Sequence, residues 1–214
     1  MIRVAVVDYG AGNLVSIARA LEVVGAEPLI VRDAEGLRRA DALIVPGVGA
    51  AGPAMDRLRR RGLVEPIGAW IAASRPFLGI CLGLQLLFER SDEDGAATLG
   101  VLSGSTVELS GAPTLPHIGW NSVDWTGEPP LFGGLHPGTA FYFVHSYVAA
   151  PRDPGVVIAE SGHGSRFPAA VARGNLFAVQ FHPERSGTDG LRLLRSFAEI
   201  AAATPLAASA GALA

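Results

Sequence analysis

The sequence predicts an α/β protein built on an open, mostly parallel sheet with helices on both faces, extended by antiparallel or mixed strands. Three observations predict it. Up to about Gly95, short β-branched apolar runs closed by Gly, Asp or Pro alternate with segments of helical period. Beyond Gly95 the rhythm changes to β-rich runs divided by Gly and Pro, until one last helical segment. The 214 residues are 49% hydrophobic, enough for one substantial core and too few for two. A single domain is therefore expected over residues 1–203, with 204–214, "TPLAASAGALA", as a flexible Ala-rich tail.

In chain order, "IRVAVVDYG" reads as a buried strand stopped by Asp8 and Gly10. "NLVSIARALEVVG" then places Leu14, Ile17, Ala18 and Leu21 on one helical face and stops at Gly25. Strands follow at "EPLIVRD" and "DALIVPGVG", then helices from about Ala50 to Arg60 and from about Val64 to Ala73. "PFLGIC" is a strand running directly into the helical "LGLQLLFER". In the second half, "STVELS", "NSVDW", "AFYFVHSYVA", "GVVIAES", "PAAVARG" and "LFAVQFHPE" are strand-like and are expected to extend the first sheet, before a helix from about Thr188 to Ala202. Ligands of such folds bind at the carboxyl ends of the parallel strands. Asp8–Asn13, Gly47–Gly49 and Cys81 fall at such ends.

Charge and cysteine content exclude several classes. The net charge is −3, from 17 basic and 20 acidic residues, with no basic block beyond "RLRRRG" at Arg57–Gly62. A nucleic-acid binder would need a more concentrated positive footprint. One cysteine forms no internal disulfide, which suits a reducing, cytoplasmic compartment. The N-terminal apolar run is broken by Asp8 too early for a signal peptide, and no run reaches membrane-spanning length.

The lone cysteine sits in Gly79-Ile80-Cys81-Leu82-Gly83, the spacing of a nucleophile elbow. Glycines two before and two after let strand and helix approach. The turn would place the sulfur at a helix N-terminus, whose dipole and free N–H groups favour a thiolate. A small buried core cysteine is the alternative. Of five histidines, His182 alone has the company a base needs: it closes a strand in "QFHPERSG", with Glu184 two residues on to orient the imidazole and stabilise its cation. The backbone N–H of Leu82 would supply one oxyanion donor, and Val48 and Gly49 in "VPGVGA" the other. Val48, being β-branched, avoids positive φ, so its peptide is expected to rest with a carbonyl toward the oxyanion position, a fixed loop already pointing a donor inward being the alternative. "DYGAGN" lacks the third glycine of a dinucleotide loop, which excludes nucleotide binding there. No second Cys and no His pair at ligand spacing suggests a metal, and no cofactor is implied.

Together these residues resemble the class I, or triad, glutamine amidotransferases. The strings "DYGAGN", "PGVGA", "GICLGLQLLFE", "LPHIGWN", "FYFVHSY" and "QFHPERSG" are similar, in order, to the branch formed by the glutaminase subunits of imidazole glycerol phosphate synthases. The resemblance implies that Cys81, His182 and Glu184 release ammonia from glutamine through a glutamyl thioester. It implies that Gly47, Gln85 and the backbone of Ser146 and Tyr147 hold glutamine, and that Glu93 meets its amino group, although "RSDEDG" also reads as a solvated acidic loop. It further implies a heterodimer with a (β/α)₈-barrel cyclase that uses the ammonia in histidine biosynthesis. Asn13, His117, Trp120, Asn121 and Arg185 are the implied interface, with core packing the alternative for Trp120. Arg185 stands where similar proteins usually carry Lys, which changes the donor geometry. Two other readings are a glutaminase of another synthase, such as that of pyridoxal phosphate, and a non-catalytic binding module of the same fold.

Overall fold

The computed structural model describes residues 1–204; the tail expected at 204–214 lies, beyond Thr204, outside the described residues. In the first half the elements run β1 (Arg3–Val7), α1 (Leu14–Val23), β2 (Glu27–Val31), α2 (Ala34–Arg38), β3 (Ala42–Gly47), α3 (Ala51–Arg60), α4 (Val64–Ala72), β4 (Phe77–Cys81) and α5 (Leu82–Gln85). The second half runs β5 (Arg90–Ser91), β6 (Gly104–Glu108), β7 (His117–Val123), β8 (Thr139–His145), β9 (Tyr147–Pro151), β10 (Val157–His163), β11 (Ser165–Arg173), β12 (Leu176–Val179) and α6 (Gly187–Ala203). Among the described residues no helix is long and apolar enough to cross a membrane.

Seven strands form the main sheet in the order β10-β11-β12-β4-β3-β1-β2. The five from β12 to β2 are mutually parallel, while β11 and β10 add antiparallel pairs at one edge. Every residue of β3 and β4 is buried, as expected of central strands covered on both faces. Alternation along each strand divides the core in two. Val4, Val6, Ile44, Leu78 and Ile80 pack with Ile17 and Leu21 of α1 and Leu193, Leu194 and Phe197 of α6. Ala5, Val7, Leu43, Val45 and Phe77 face the other way, against Met55 and Leu58 of α3 and Ile67 and Trp70 of α4. Each such large side chain, fully buried, contributes about 1.5–3 kcal/mol.

Local signals set the helix ends. Asn13 caps α1 by accepting from the Ser16 N–H at 3.4 Å, and Asp33 caps α2 by accepting from the Gly36 N–H at 2.9 Å. Five-residue α2 was not expected, because one turn is too short to display a period.

Two expectations need correction. The segment after Cys81 is helical only through Gln85, because Leu84, Leu86, Leu87 and Phe88 are all buried and leave no polar face for a longer helix. The second half extends the main sheet only with β10, β11 and β12. β5, β6 and β9 make a separate three-stranded sheet, and β7 and β8 a separate pair. The continuous run "AFYFVHSYVA" is therefore two strands belonging to different sheets, divided at Ser146, whose carbonyl accepts from the Leu109 N–H at 2.9 Å.

Candidate active site

Parallel register aligns the ends of three adjacent strands. Gly47 of β3 lies opposite Cys81 of β4, and Val179 of β12 lies opposite Ile80, so Gln180 to Glu184 emerge beside the cysteine. Cys81 has φ 55° and ψ −108°, and only it and Ser74 combine a side chain with positive φ among the described residues. Such a conformation costs about 1–3 kcal/mol and persists where the surroundings enforce it. They do so here. A Cβ on Gly79 would lie 2.6 Å from the Gly83 carbonyl oxygen, and one on Gly83 would collide with the Val45 carbonyl. The two glycines are thus required by the closeness of β4 and α5, and the cysteine between them is turned outward as an elbow. As the first residue of α5, Leu82 has an N–H without an intrahelical acceptor.

His182 Nδ1 lies 2.9 Å from Glu184 Oε1, and both side chains are almost wholly buried, at 5% and 1% exposure. Pro183 opens a 3₁₀ turn over Pro183–Arg185 that brings the carboxylate back to the ring two residues before it. The other ring nitrogen, Nε2, has no hydrogen bond of good geometry and lies against the Cys81 thiol. Burial lowers the pKa of His182, but Cys81 on one side and Glu184 on the other outweigh it and hold the imidazolium up to about 10. A thiolate–imidazolium pair backed by a carboxylate can attack a carbonyl carbon and then protonate the leaving amine.

A cavity of about 220 Å³ opens at the cysteine. Its wall brings together eight residues expected from the sequence: Val48, Gly49, Cys81, Leu82, Gln85, Glu93, Ser146 and Tyr147. Val48 is half-exposed and keeps out of the left-handed region; the adjoining Gly49 takes the positive φ, 88°. Gly47 does not line the cavity. Its missing side chain makes room instead for the Tyr9 hydroxyl and Leu82, with which a Cβ would collide. Glu93 forms part of the wall, and burial together with Asp94 raises its carboxyl pKa. Its loop is fixed by Asp94, which accepts from the Gly52 N–H at the start of α3 at 2.6 Å.

Two polar residues near the cavity were not expected: His145, which joins Pro116 and Val144 in the wall, and, behind it, Gln180; His117, expected at a partner interface, lies behind His145 as well. Gln85 Nε2 donates to the Tyr147 carbonyl at 2.9 Å and to Gln180 Oε1 at 3.3 Å, which leaves Gln85 Oε1 as the acceptor available to a ligand. His145 Nδ1 also donates to the Tyr147 carbonyl, at 3.0 Å. A carbonyl can only accept, so the neutral His145 ring accepts at Nε2 from His117 Nδ1 at 3.2 Å, and His117 accepts at Nε2 from Asn121 at 3.3 Å. His117 also stacks on His163 at 4.2 Å between ring centres. Alternation was the available signal: in "FYFVHSY" His145 follows Phe141 and Phe143 on an otherwise apolar face, and in "LFAVQFH" Gln180 shares the face of His182.

The five residues expected at a partner interface differ in exposure, Asn121 among them being half-buried. His117 is buried within the imidazole chain, and the Asn121 amide is committed to His117, to the Gly162 carbonyl and to the Ser122 N–H. The other three lie outside. Asn13 and Arg185 are exposed, with the Arg185 guanidinium 4.2 Å above the Tyr142 ring, and Trp120 is 58% exposed rather than packed in the core. Ile118, two residues along β7, is equally open.

The buried imidazoles predict a stability optimum. Burial lowers His145 to about 3 and His117 to about 4, each further opposed by a neighbouring imidazole. The unfolded chain therefore binds more protons than the native one below 6.5, and stability is lost as pH falls toward 4 and then 3. For His182 the sign reverses: its contribution is complete below 6.5 and is lost as pH rises toward 10. The melting temperature should peak near neutrality, between the two limbs. His145→Asn should flatten the acid limb alone, whereas a melting temperature still rising at about pH 9 would contradict the assignment.

An elbow cysteine, a base and a carboxylate at the carboxyl ends of a parallel sheet define a thiol-dependent amidohydrolase. The sequence model of the glutamine amidotransferase class-I family matches residues 5–200, and the chain belongs to that family. It is 50% identical over 198 residues to the imidazole glycerol phosphate synthase subunit HisH of Rhodopirellula baltica, covering 91% of this chain and 96% of that protein. The subunit of the same name from Thermosynechococcus vestitus is also 50% identical, over 91% of this chain and 95% of its own length. Among solved structures, one titled as a glutamine amidotransferase superposes with a TM-score of 0.72 at 26% identity, covering 92% of this chain and 98% of that one. The fold is shared with PurLQS from Thermotoga maritima, at a TM-score of 0.74 and 23% identity over 94% of this chain and 99% of that chain.

Proposed function

We propose that this chain is the glutaminase half of an imidazole glycerol phosphate synthase. It hydrolyses glutamine to glutamate and ammonia, and the ammonia passes to a cyclase subunit that makes imidazole glycerol phosphate and aminoimidazole carboxamide ribotide in histidine biosynthesis. The observation that carries the chemistry is the strained Cys81 beside the buried His182–Glu184 pair, at the head of a cavity small enough for one amino acid. Cys81 attacks the side-chain amide carbon of glutamine, and the oxyanion is met by the N–H groups of Leu82 and of the Val48–Gly49 turn. His182 then protonates the departing ammonia, and water, activated by the same imidazole, releases glutamate from the thioester. Gln85 Oε1 and the Glu93 carboxylate are acceptors suited to the substrate's ammonium group. The reading of the partner rests on the relatives' names and on the half-exposed or open apolar side chains of Val15, Val48, Leu115, Ile118 and Trp120, which suit a protein surface better than water.

The test compares ammonia release from glutamine by the chain alone, with a (β/α)₈-barrel cyclase, and with that cyclase plus its phosphorylated ribulosyl substrate. If the Val48 peptide must rotate to serve the oxyanion, release is slow in the first two mixtures and rises by about 10²-fold or more in the third. Val48→Gly, which removes the steric penalty, should raise the basal rate. No ammonia in any mixture would refute the function, and equal rates in all three would refute the gating.

A further inference from the structure

Gln180 is fully buried, and its amide nitrogen is 3.7 Å from the Cys81 sulfur. We propose that Gln180 is a further catalytic residue of this site, one whose side-chain N–H holds the Cys81 sulfur as a thiolate in line for attack, and that Gln85 sets which end of the Gln180 amide faces the sulfur. The proposal rests on the glutaminase reading above.

Strand geometry delivers the amide. Gln180 follows β12 directly, and alternation turns it and His182 to the same side while Phe181 turns to the other, where its ring stacks on Phe141 at 4.1 Å. Both polar side chains of that side therefore reach Cys81, one as base and one as neutral donor. An amide can present either its oxygen or its nitrogen, with opposite effects on an anion. Here the choice is made from behind. Gln85 Nε2 can only donate; by donating to Gln180 Oε1 at 3.3 Å it turns Gln180 Nε2 toward the sulfur. Gln85 is fixed in turn by the Tyr147 carbonyl, which has no hydrogen to give back.

The other groups facing the sulfur do not duplicate this. Val144 offers a carbonyl at 4.0 Å, which can accept from a thiol but repels a thiolate. The Tyr9 hydroxyl, buried just beyond β1, has no hydrogen-bond partner among the described residues, and its ionisation is disfavoured by burial and by the nearby Cys81. Glu93 and His145 lie in the cavity wall, and His182, with Glu184 behind it, is the cationic partner of the sulfur. A neutral donor has a distinct use. While the thioester stands, His182 has given its proton to ammonia and regains one only as it activates water; through that interval the Gln180 N–H still holds the sulfur in place.

The experiment measures the pH profile of Cys81 alkylation by iodoacetamide in the full chain, and glutamine turnover in its complex with the cyclase. Gln180→Met, similar in volume but without donors, should move the alkylation midpoint to higher pH by about one unit and lower kcat about tenfold, with KM within about twofold. Gln85→Glu, close to Gln in volume, supplies an acceptor where there was a donor, with loss of the hydrogen bond to the Tyr147 carbonyl. It should flip the Gln180 amide, turn its oxygen to the sulfur and move the midpoint in the same direction, even if Gln180→Met folds poorly. Midpoints of both variants equal to the parent's would overturn the proposal. A wild-type complex that releases no ammonia, with the midpoint shifts intact, would refute the glutaminase reading and leave the Gln180–sulfur contact standing.

Discussion

Replacing Cys81 with alanine is expected to lower glutamine hydrolysis by about 10⁴-fold or more, while the complex with the cyclase continues to make product from added ammonium salts. The size of the loss follows from what the sulfur does. The sulfur forms the thioester as the amide C–N bond breaks and is displaced when water attacks the same carbon, and removal of one member of a nucleophile–base unit disables the unit. The retained reaction follows from location: the cysteine lies in a cavity of about 220 Å³ within this chain, and nothing in the elbow contributes to a synthase step elsewhere. Alanine still sits at φ 55°, so the elbow keeps its strain and no gain in stability masks the result. Hydrolysis near the parental rate would make Cys81 a core residue.

Glu184→Gln is expected to have the second-largest effect, a fall in kcat of about 10²- to 10⁴-fold in a chain that still unfolds cooperatively. The charge opposite His182 is lost, and with it the stabilisation of the imidazolium that must form when the thiol ionises. The new amide can also turn its N–H toward Nδ1 and force the wrong tautomer. Stability should fall less. Glu184 Oε2 already lacks a hydrogen-bond partner, so Gln replaces an unpaired buried acceptor with an unpaired buried donor, a change of about 1–3 kcal/mol at most. Rate and melting temperature therefore part company. A variant as active as its parent would show that the 2.9 Å contact with His182 serves packing alone.

The triad was legible because each member carries a local signal. Glycines at both second neighbours announce an elbow whatever the rest of the fold, and His-Pro-Glu places a carboxylate beside an imidazole through a stiffened link. The parallel half of the sheet was legible for a similar reason: β1, β3 and β4 are short, nearly continuous apolar runs, which need two covered faces. What escaped depends on contacts between distant segments. Nothing in "AFYFVHSYVA" says that Ser146 separates two sheets, since no glycine or proline marks the break. His117 and Asn121 read as interface residues in "PHIGWN"; the burial of His117 and the half-burial of Asn121 depend on His145 and Gly162, which arrive from other strands. Gln180 was passed over as a polar residue in a strand; its meaning comes from Cys81, 99 positions earlier.

The central claim is that ammonia made at Cys81 is handed to a partner rather than released. The most direct measurement supplies the complete complex with amide-labelled glutamine, the cyclase substrate and a large excess of unlabelled ammonium, and reads the label in the imidazole product. The account predicts that the product carries the label almost undiluted, and that Cys81→Ala makes only unlabelled product. Label diluted to the level of the medium would contradict it, because ammonia would then reach the second site only through bulk solvent.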